Sequence, residues 1–458
     1  MSLAAEHLAG IGPTGSRDVA AQLARGLSGA SSDRVARHNL AVELRKLDRS
    51  GEALVEIDRA WSDGLRAGET ATMRGHILAD VGRFAEAEAA WRDAIRLKPE
   101  LVEPAKALAA LLPQLGRTGE ALDGFRTALS IAPGIGILWV EAMGAAKAHG
   151  DWPQLLAWAE AAERRFGADT MIAAFAANAL SRMERDAEAH DRLTRALAVE
   201  PDFAPGQATL AHVSIRLGDY RGAEAAAHAA TELAPHDQAG WALLGTIWRL
   251  RGDSREDWLC NYDQLVMPVE VDLPGGLADN LTRRHRALAH PADQSLRGGT
   301  QTPGNLFQSA DPVIIGFARQ LRATIEARLA RLPNDPAHPF LARNTGRLAF
   351  SASWSVRLGN EGFHISHMHP AGWLSSALYV ALPPEVATGG GDGVLTFGVP
   401  DAALSLDLSP RRTVQPREGL LVLFPSYLWH GTTQFHSSTP RLTIAFDAVP
   451  MGDAGAAA

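Results

Sequence analysis

The sequence predicts a multidomain α + β protein, with an α-helical solenoid in its first half and an antiparallel β sandwich or barrel in its second. Three observations predict it. Small residues keep a 34-residue phase over more than 200 residues, and the apolar period changes from about 3.6 to 2 near Gly346. Beyond that point, strand-like runs succeed one another with no helical pattern between them.

The first half follows from its repeat. Gly82, Gly116, Gly150, Gly218 and Gly252 are spaced by 34 or a multiple of it, with Asp48 and Glu184 at the missing steps. Five residues after each anchor stand Ala53, Ala87, Ala121, Leu155, Ala189 and Ala223; twelve after stand Ala60, Ala94, Ala128, Ala162, Ala196 and Ala230. Pro99, Pro133, Pro201 and Pro235 follow their anchors by seventeen. Alanine is needed where two helices touch backbone to backbone, glycine where a helix ends in a left-handed residue, and proline where the next helix stops. Trp91 and Phe125 share one offset and would fill the core between repeats, and Trp139, Trp152, Trp158 and Trp241 read as core too. This pattern is that of tetratricopeptide repeats, helix pairs stacked into a superhelix. Such an array offers a groove for a protein or peptide; the plainer alternative is a scaffolding or oligomerisation arm.

The solenoid is expected over residues 33–265, after a small-residue tail, 1–32, that lacks the basic and apolar regions of a signal peptide. A Pro- and Gly-containing passage from Met267-Pro268 to Pro274-Gly275-Gly276 marks a linker, 266–290, with a short helix from Leu281 to Leu288. The second domain is expected over 291–455. An amphipathic helix, Asp311 to Leu332, opens on Asp311-Pro312. Leu348, Phe350, Ala352, Trp354, Val356 and Leu358 then alternate as a half-buried strand. Further strands are expected at Leu374–Leu382, Val394–Phe397, Leu420–Phe424 and Leu442–Phe446.

Composition bounds the function. The 458 residues are 46% hydrophobic and 21% charged, enough for packed cores. A formal net charge of −8 argues against general nucleic-acid binding or an anionic membrane surface, and no run of eighteen apolar residues could span a bilayer. The single cysteine, Cys260, excludes a disulfide framework, reads as a buried thiol and suits a reducing compartment. A cytoplasmic protein is expected.

The chemistry gathers near the end of the chain. His367 and His369 are two apart on an extended segment and point the same way. His430 can close a third corner of a metal site, leaving other positions open. Arg441, eleven residues later, with Thr443 two beyond, offers a planar fork and a hydroxyl for a carboxylate. This ordered set resembles the Fe(II)/2-oxoglutarate-dependent dioxygenases over about residues 290 to 450. It is most similar to bacterial tetratricopeptide-linked 2OG-Fe(II) oxygenases, through Gln294-Ser295-Leu296-Arg297-Gly298-Gly299-Thr300-Gln301-Thr302 and His367-Met368-His369-Pro370-Ala371-Gly372-Trp373.

The resemblance implies a double-stranded β-helix (jelly roll), with Fe(II), 2-oxoglutarate and O2 as cofactor and co-substrates. Within it His367, His369 and His430 would be the metal ligands, and Arg441 and Thr443, with Tyr379, would hold the co-substrate. The general motif puts a carboxylate where His369 stands, so His364, Glu361, Asp392 and Asp447 remain rivals for that ligand, and nitrogen-only ligation also suits zinc or copper. Trp354, Arg357 and Tyr379 are on strands expected to line the cavity; each could instead be sheet packing or a surface ion pair. Arg297 and Gln301 could touch substrate or belong to a structural loop. His436 reads as surface, and Gly389-Gly390-Gly391 as a hairpin tip that could form part of a lid. The resulting expectation is hydroxylation of a protein or peptide delivered by the repeats. The alternatives are a cupin-like zinc or manganese enzyme and a non-catalytic adaptor.

Overall fold

The structure, a computed structural model, describes residues 18–24, 33–47, 49–285, 295–302, 304–309, 311–388 and 391–452. Most of the 1–32 tail, Asp48, Gln294 and the Gly389-Gly390 pair lie outside the described residues. The chain divides into two compact units, Met1–Asp151 and Trp152–Ala458.

The first unit holds the helix pairs Arg34–Lys46 with Ser50–Ser62, Gly68–Asp80 with Phe84–Leu97, and Glu103–Gln114 with Asp123–Ile131, followed by Gly136–Ala148. Gly82 and Gly116 turn the chain between partners at φ of 81° and 77°, a region glycine enters without steric cost. The phased alanines from Ala53 to Ala128 are buried, as backbone-close packing requires. Gly75 has the same cause: an added Cβ would overlap the indole of Trp91, whose Nε1 donates to the Thr72 carbonyl at 3.3 Å.

The second unit opens with the helices Trp152–Phe166, Thr170–Arg182, Asp186–Val199, Ala204–Arg216, Tyr220–Leu233 and Gln238–Leu250. Glu184 takes the turn position of a missing glycine with φ 61°. Two short helices, Arg255–Cys260 and Tyr262–Leu265, lead into the strands. These are β1 (Met267–Glu270), β2 (Leu296–Gln301), β3 (Leu348–His364), β4 (Leu374–Ala381), β5 (Leu395–Phe397), β6 (Arg412–Val414), β7 (Leu420–Pro425), β8 (His430–Thr432) and β9 (Arg441–Pro450). They form a six-stranded antiparallel sheet in the order β1-β7-β4-β9-β3-β2 and a three-stranded one in the order β6-β5-β8, two sheets as a jelly roll needs. The longest pairing, β3 with β9, runs from Leu348↔Pro450 to Leu358↔Arg441. Helix Pro312–Leu329 is capped by the Asp311 carboxylate, which accepts from the Val313 N–H. It buries Ile314, Phe317, Leu321, Ile325 and Leu329 at helical spacing in the core shared with the sheet.

The expected linker, 266–290, is built differently. Met267–Glu270 pairs with β7 from Met267↔Leu423 to Glu270↔Leu420 and so forms an edge of the main sheet. Its short helix runs Leu277–Arg284, four residues earlier than the sequence suggested, with Leu277 and Leu281 buried. Pro274, Gly275 and Gly276 turn the chain between β1 and this helix, while Pro268 lies within β1. One apolar core runs from Ala211 in the repeats to Ala448 in β9. Polar contacts reinforce it. Arg249 donates to the carbonyls of Gly398 at 2.6 Å and Ser409 at 2.7 Å, Arg216 to that of Ala403 at 2.8 Å, and the Tyr427 hydroxyl to that of Leu259 at 2.7 Å.

Candidate metal centre

Strand β3 ends at His364, and three residues later the chain crosses to β8. There His367 and His430 lie opposite one another, each N–H donating to the other's carbonyl at 2.9 Å. The His369 N–H donates to the Ser426 carbonyl at 3.0 Å, so the backbone anchors all three histidines. Their rings converge, with centroids 4.2 Å apart for His367 and His430 and 5.1 Å for each of the other two pairs. One nitrogen from each lies within 4.8 Å of the others, a group able to hold a metal ion.

Tautomers follow from the other ring nitrogen. The Nδ1–H of His367 donates to the Ile365 carbonyl at 2.9 Å, that of His430 to the Leu428 carbonyl at 2.9 Å, and that of His369 to the Asp447 carboxylate at 2.6 Å. Each ring, when neutral, then presents its Nε2 lone pair. Burial, reinforced by the neighbouring histidines, pushes the His367 imidazole down to about 3 and that of His430 well below the usual histidine range, so both are neutral near pH 7. The Nε2 atoms of His367 and His369 lie 3.2 Å apart, close enough for one bound cation to span them.

The cavity beside them encloses about 300 Å³, a size suited to a small ligand. Arg441, Thr443, Ala445 and Asp447, alternate residues of β9, line it together with Trp354 and Val356 of β3 and Tyr379 of β4. Arg441 is only 2% exposed, and no carboxylate pairs with it among the described residues. Its Nη1 donates to the Gly393 carbonyl at 3.0 Å, its Cζ lies 5.8 Å from the ring centres of Tyr379 and Phe435, and its Nε has no acceptor. The Tyr379 hydroxyl and the Gln301 Oε1 are likewise buried without partners. Thr443 Oγ1 faces the Val356 carbonyl at 3.5 Å, long for a hydroxyl hydrogen bond.

The remaining expected residues divide. Gln301, Trp354 and His364 line the cavity. His364 is held off from the three-histidine group by Ser295, whose Oγ lies 2.9 Å from His364 Nδ1 and 3.2 Å from His367 Nε2. Arg357 does not line the cavity: it sits opposite Thr300 and Leu442 and has the other parity from Trp354 and Val356. Nor does Arg297, exposed on β2, where the expected Gly-rich loop is a strand. Glu361 and His436 are both largely exposed, 3.8 Å apart, and Asp392 is absent from the lining. Ser295 and Ser376 line the cavity without having been proposed as site residues; Ser295 lies inside the quoted run 294–302 and Ser376 inside the expected strand 374–382. Asp447, a rival ligand on sequence grounds, stands behind His369 instead. The two-residue step from Arg441 through Thr443 to Asp447 was the available signal.

Residues 352–447 match the family model described as "Putative 2OG-Fe(II) oxygenase", and residues 183–247 match that of the tetratricopeptide repeat. The chain thus joins a segment that matches the repeat family to a segment that matches the oxygenase family. Similar solved structures are repeat proteins. The C-terminal part of a repeat-containing protein from Cytophaga hutchinsonii is 13% identical, with 50% of this chain and 94% of that one covered and a TM-score of 0.38. A repeat protein from Parabacteroides merdae is 15% identical (50% and 91% covered, TM-score 0.31), and yeast Tom70 is 14% identical (55% and 62% covered, TM-score 0.33). No curated protein matches the chain. No helix among the described residues is long and apolar enough to cross a membrane.

Proposed function

We propose that this chain is an Fe(II)- and 2-oxoglutarate-dependent dioxygenase that hydroxylates a side chain of a protein or peptide held by its repeats. The observation that carries the reading is Arg441, a buried guanidinium without an acidic partner, in the same cavity as three converging imidazoles. A buried charge of that kind calls for an anion. The residues fit both groups. His367, His369 and His430 offer three imidazole nitrogens and leave coordination positions free, as a reactive centre needs and a closed structural site does not. Arg441 would grip the far carboxylate of 2-oxoglutarate, with Tyr379 and Thr443 as further hydrogen-bonding groups. When bound, Fe(II) and 2-oxoglutarate supply the oxidising chemistry, drawing on O2 and releasing succinate and CO2.

The chain's own residues bind, orient and exclude water. The backbone bridge between His367 and His430 fixes two donors at once, and Phe424 packs against the His430 ring with centroids 4.5 Å apart. Trp354 stacks on His369, with centroids 6.0 Å apart at 28°, and forms a half-buried wall of the cavity. A protein substrate suits the repeat array, which exposes more surface than its own stability requires. A cupin-like zinc or manganese hydrolase has no use for Arg441, and a structural adaptor has none for open coordination.

The test is an anaerobic titration of the full-length protein with Fe(II) and then 2-oxoglutarate. One Fe(II) per chain and saturable 2-oxoglutarate binding are expected. Arg441→Ala should weaken the second step by roughly 30-fold to several thousand-fold, the cost of about 2–5 kcal/mol for removing one partner of a buried charge pair, with metal content unchanged. An unchanged 2-oxoglutarate titration would overturn the reading.

A further inference from the structure

We propose that Asp447 is a positioning residue of the metal centre, acting through His369 to supply the negative charge that a directly bound carboxylate would bring. This rests on the assignment of His367, His369 and His430 as ligands. The three imidazoles are not equivalent at their outer nitrogens. His367 and His430 donate to neutral backbone carbonyls at 2.9 Å, whereas His369 donates to a carboxylate at 2.6 Å. His369 is the position at which the general motif has its acid.

The surroundings of Asp447 keep it there. It faces Ser375 across β4 and β9, and the Ser375 hydroxyl donates to the same Oδ1 at 2.7 Å. Ser375 also shares a hydrogen bond with Ser426 Oγ at 2.8 Å, and the carbonyl of Ser426 holds the His369 N–H at 3.0 Å. Acid and imidazole are thus tied to one residue of the β7 turn. Gly372 completes the frame, since an added Cβ would overlap Ser426 Oγ and come within 3.6 Å of Asp447 Cγ. Among the described residues, His369 is the one cationic or potentially cationic group paired with Asp447. This carboxylate therefore has no lysine or arginine to serve, and its acceptor capacity is directed at the imidazole and one hydroxyl.

The physical effect is twofold. An ionised acceptor on Nδ1–H fixes the tautomer and the ring plane, so that Nε2 faces inward, and it raises the donor strength of that nitrogen. It also sets a negative charge one ring away from a dication otherwise surrounded by neutral donors, in a cavity where screening by water is weak.

The experiment titrates Fe(II) alone, anaerobically, into full-length parent, Asp447→Asn, Ser375→Ala, His369→Ala and the double variant His369→Ala/Asp447→Asn. Asp447→Asn should bind Fe(II) about 10- to 100-fold more weakly, the usual cost of removing such an outer partner. Ser375→Ala should lose affinity in the same direction by a smaller factor. In the His369→Ala background, the Asp447 substitution should add nothing, because its effect passes through that ring. Parent-like affinity in Asp447→Asn, or an equal further loss in the His369→Ala background, overturns the proposal. If Asp447→Asn does not fold, unchanged affinity in Ser375→Ala overturns it instead. Failure of the parent to bind Fe(II) would remove the ligand assignment itself, an outcome distinct from parent binding with an indifferent Asp447.

Discussion

A guanidinium sealed from water without an acid beside it costs the metal-free protein stability, and that cost is a measurable property of Arg441. Arg441→Met should therefore leave the melting temperature of the metal-free protein unchanged or higher, by roughly 1 kcal/mol or more of added stability, while abolishing stabilisation by 2-oxoglutarate. Differential scanning calorimetry with and without 2-oxoglutarate checks both halves, and a variant that melts lower in both conditions counts against the unpaired-charge argument. Tyr379→Phe should weaken 2-oxoglutarate binding by a smaller amount, about 0.5–1.5 kcal/mol, since a single neutral hydrogen bond is lost. At this scale the sequence was readable where spacing carries the chemistry: the two-residue step of His367 and His369, and Arg441 with Thr443. It left the question open where parity on a strand decides. Arg357 was left between cavity lining and sheet packing, and Trp354 and Val356 on either side of Ser355 take the cavity face. No sequence signal separates a carboxylate that binds a metal from one that stands behind an imidazole, so Asp447 stayed one rival among several until its 2.6 Å bond to His369 was visible.

Among the elements, the helix Gln238–Leu250 carries the most consequence for the site. Its first N–H donates to the Pro370 carbonyl at 2.9 Å, next to His369, and its Thr246 Oγ1 accepts from the Trp429 indole at 3.0 Å, next to His430. One repeat helix thus holds the neighbours of two proposed ligands. Trp429→Phe keeps most of the apolar packing and removes the donor; it should weaken Fe(II) binding several-fold with little change in helix content. Isothermal titration beside far-ultraviolet circular dichroism measures this, and intact affinity would show that the clasp is only structural. Acid acts on other elements of the same unit. Burial lowers both His212 in the helix Ala204–Arg216 and His285 after the helix Leu277–Arg284 to about 4, with Arg357 adding to the effect at His285. Unfolded chains protonate histidine near 6.5, so between about 6.5 and 4 the unfolded state binds more protons and stability falls as the pH is lowered. Melting temperature of the metal-free protein should decline across that window and be nearly flat just above it; a rise on acidification would contradict the burial of these rings. The helix pairs were legible because the 34-residue phase is imposed by backbone contact. Strand β2 was not, because Arg297-Gly298-Gly299-Thr300 lacks apolar alternation and pairs with β3 through an irregularity between Arg297 and Gly299.

For the whole molecule, the place where the chain can be cut follows from where its core is continuous. A Pro- and Gly-rich passage ordinarily marks a boundary, and here it suggested a repeat domain ending at 265 and an oxygenase beginning at 291. The core instead joins Ala242, Leu243, Leu244, Ile247 and Trp248 of the last repeat to Leu421, Leu423, Tyr427 and Leu428 near β7, and β1 lies on the near side of that cut. A fragment beginning at residue 280 would lose β1, expose the β7 edge and uncover apolar side chains that each contribute about 1.5–3 kcal/mol when buried. It should be insoluble or bind dye as a loosely packed state, and should not bind Fe(II) with parental affinity. A fragment beginning at residue 152 retains all of these contacts and both halves of the proposed site. It should fold cooperatively, bind Fe(II) and 2-oxoglutarate as the full chain does, and turn 2-oxoglutarate over slowly without substrate. Parallel melting curves, metal titrations and succinate measurements on the two fragments decide the matter. Parental iron affinity in the 280–458 fragment would mean that the last repeats are an attachment, and not part of the catalytic body.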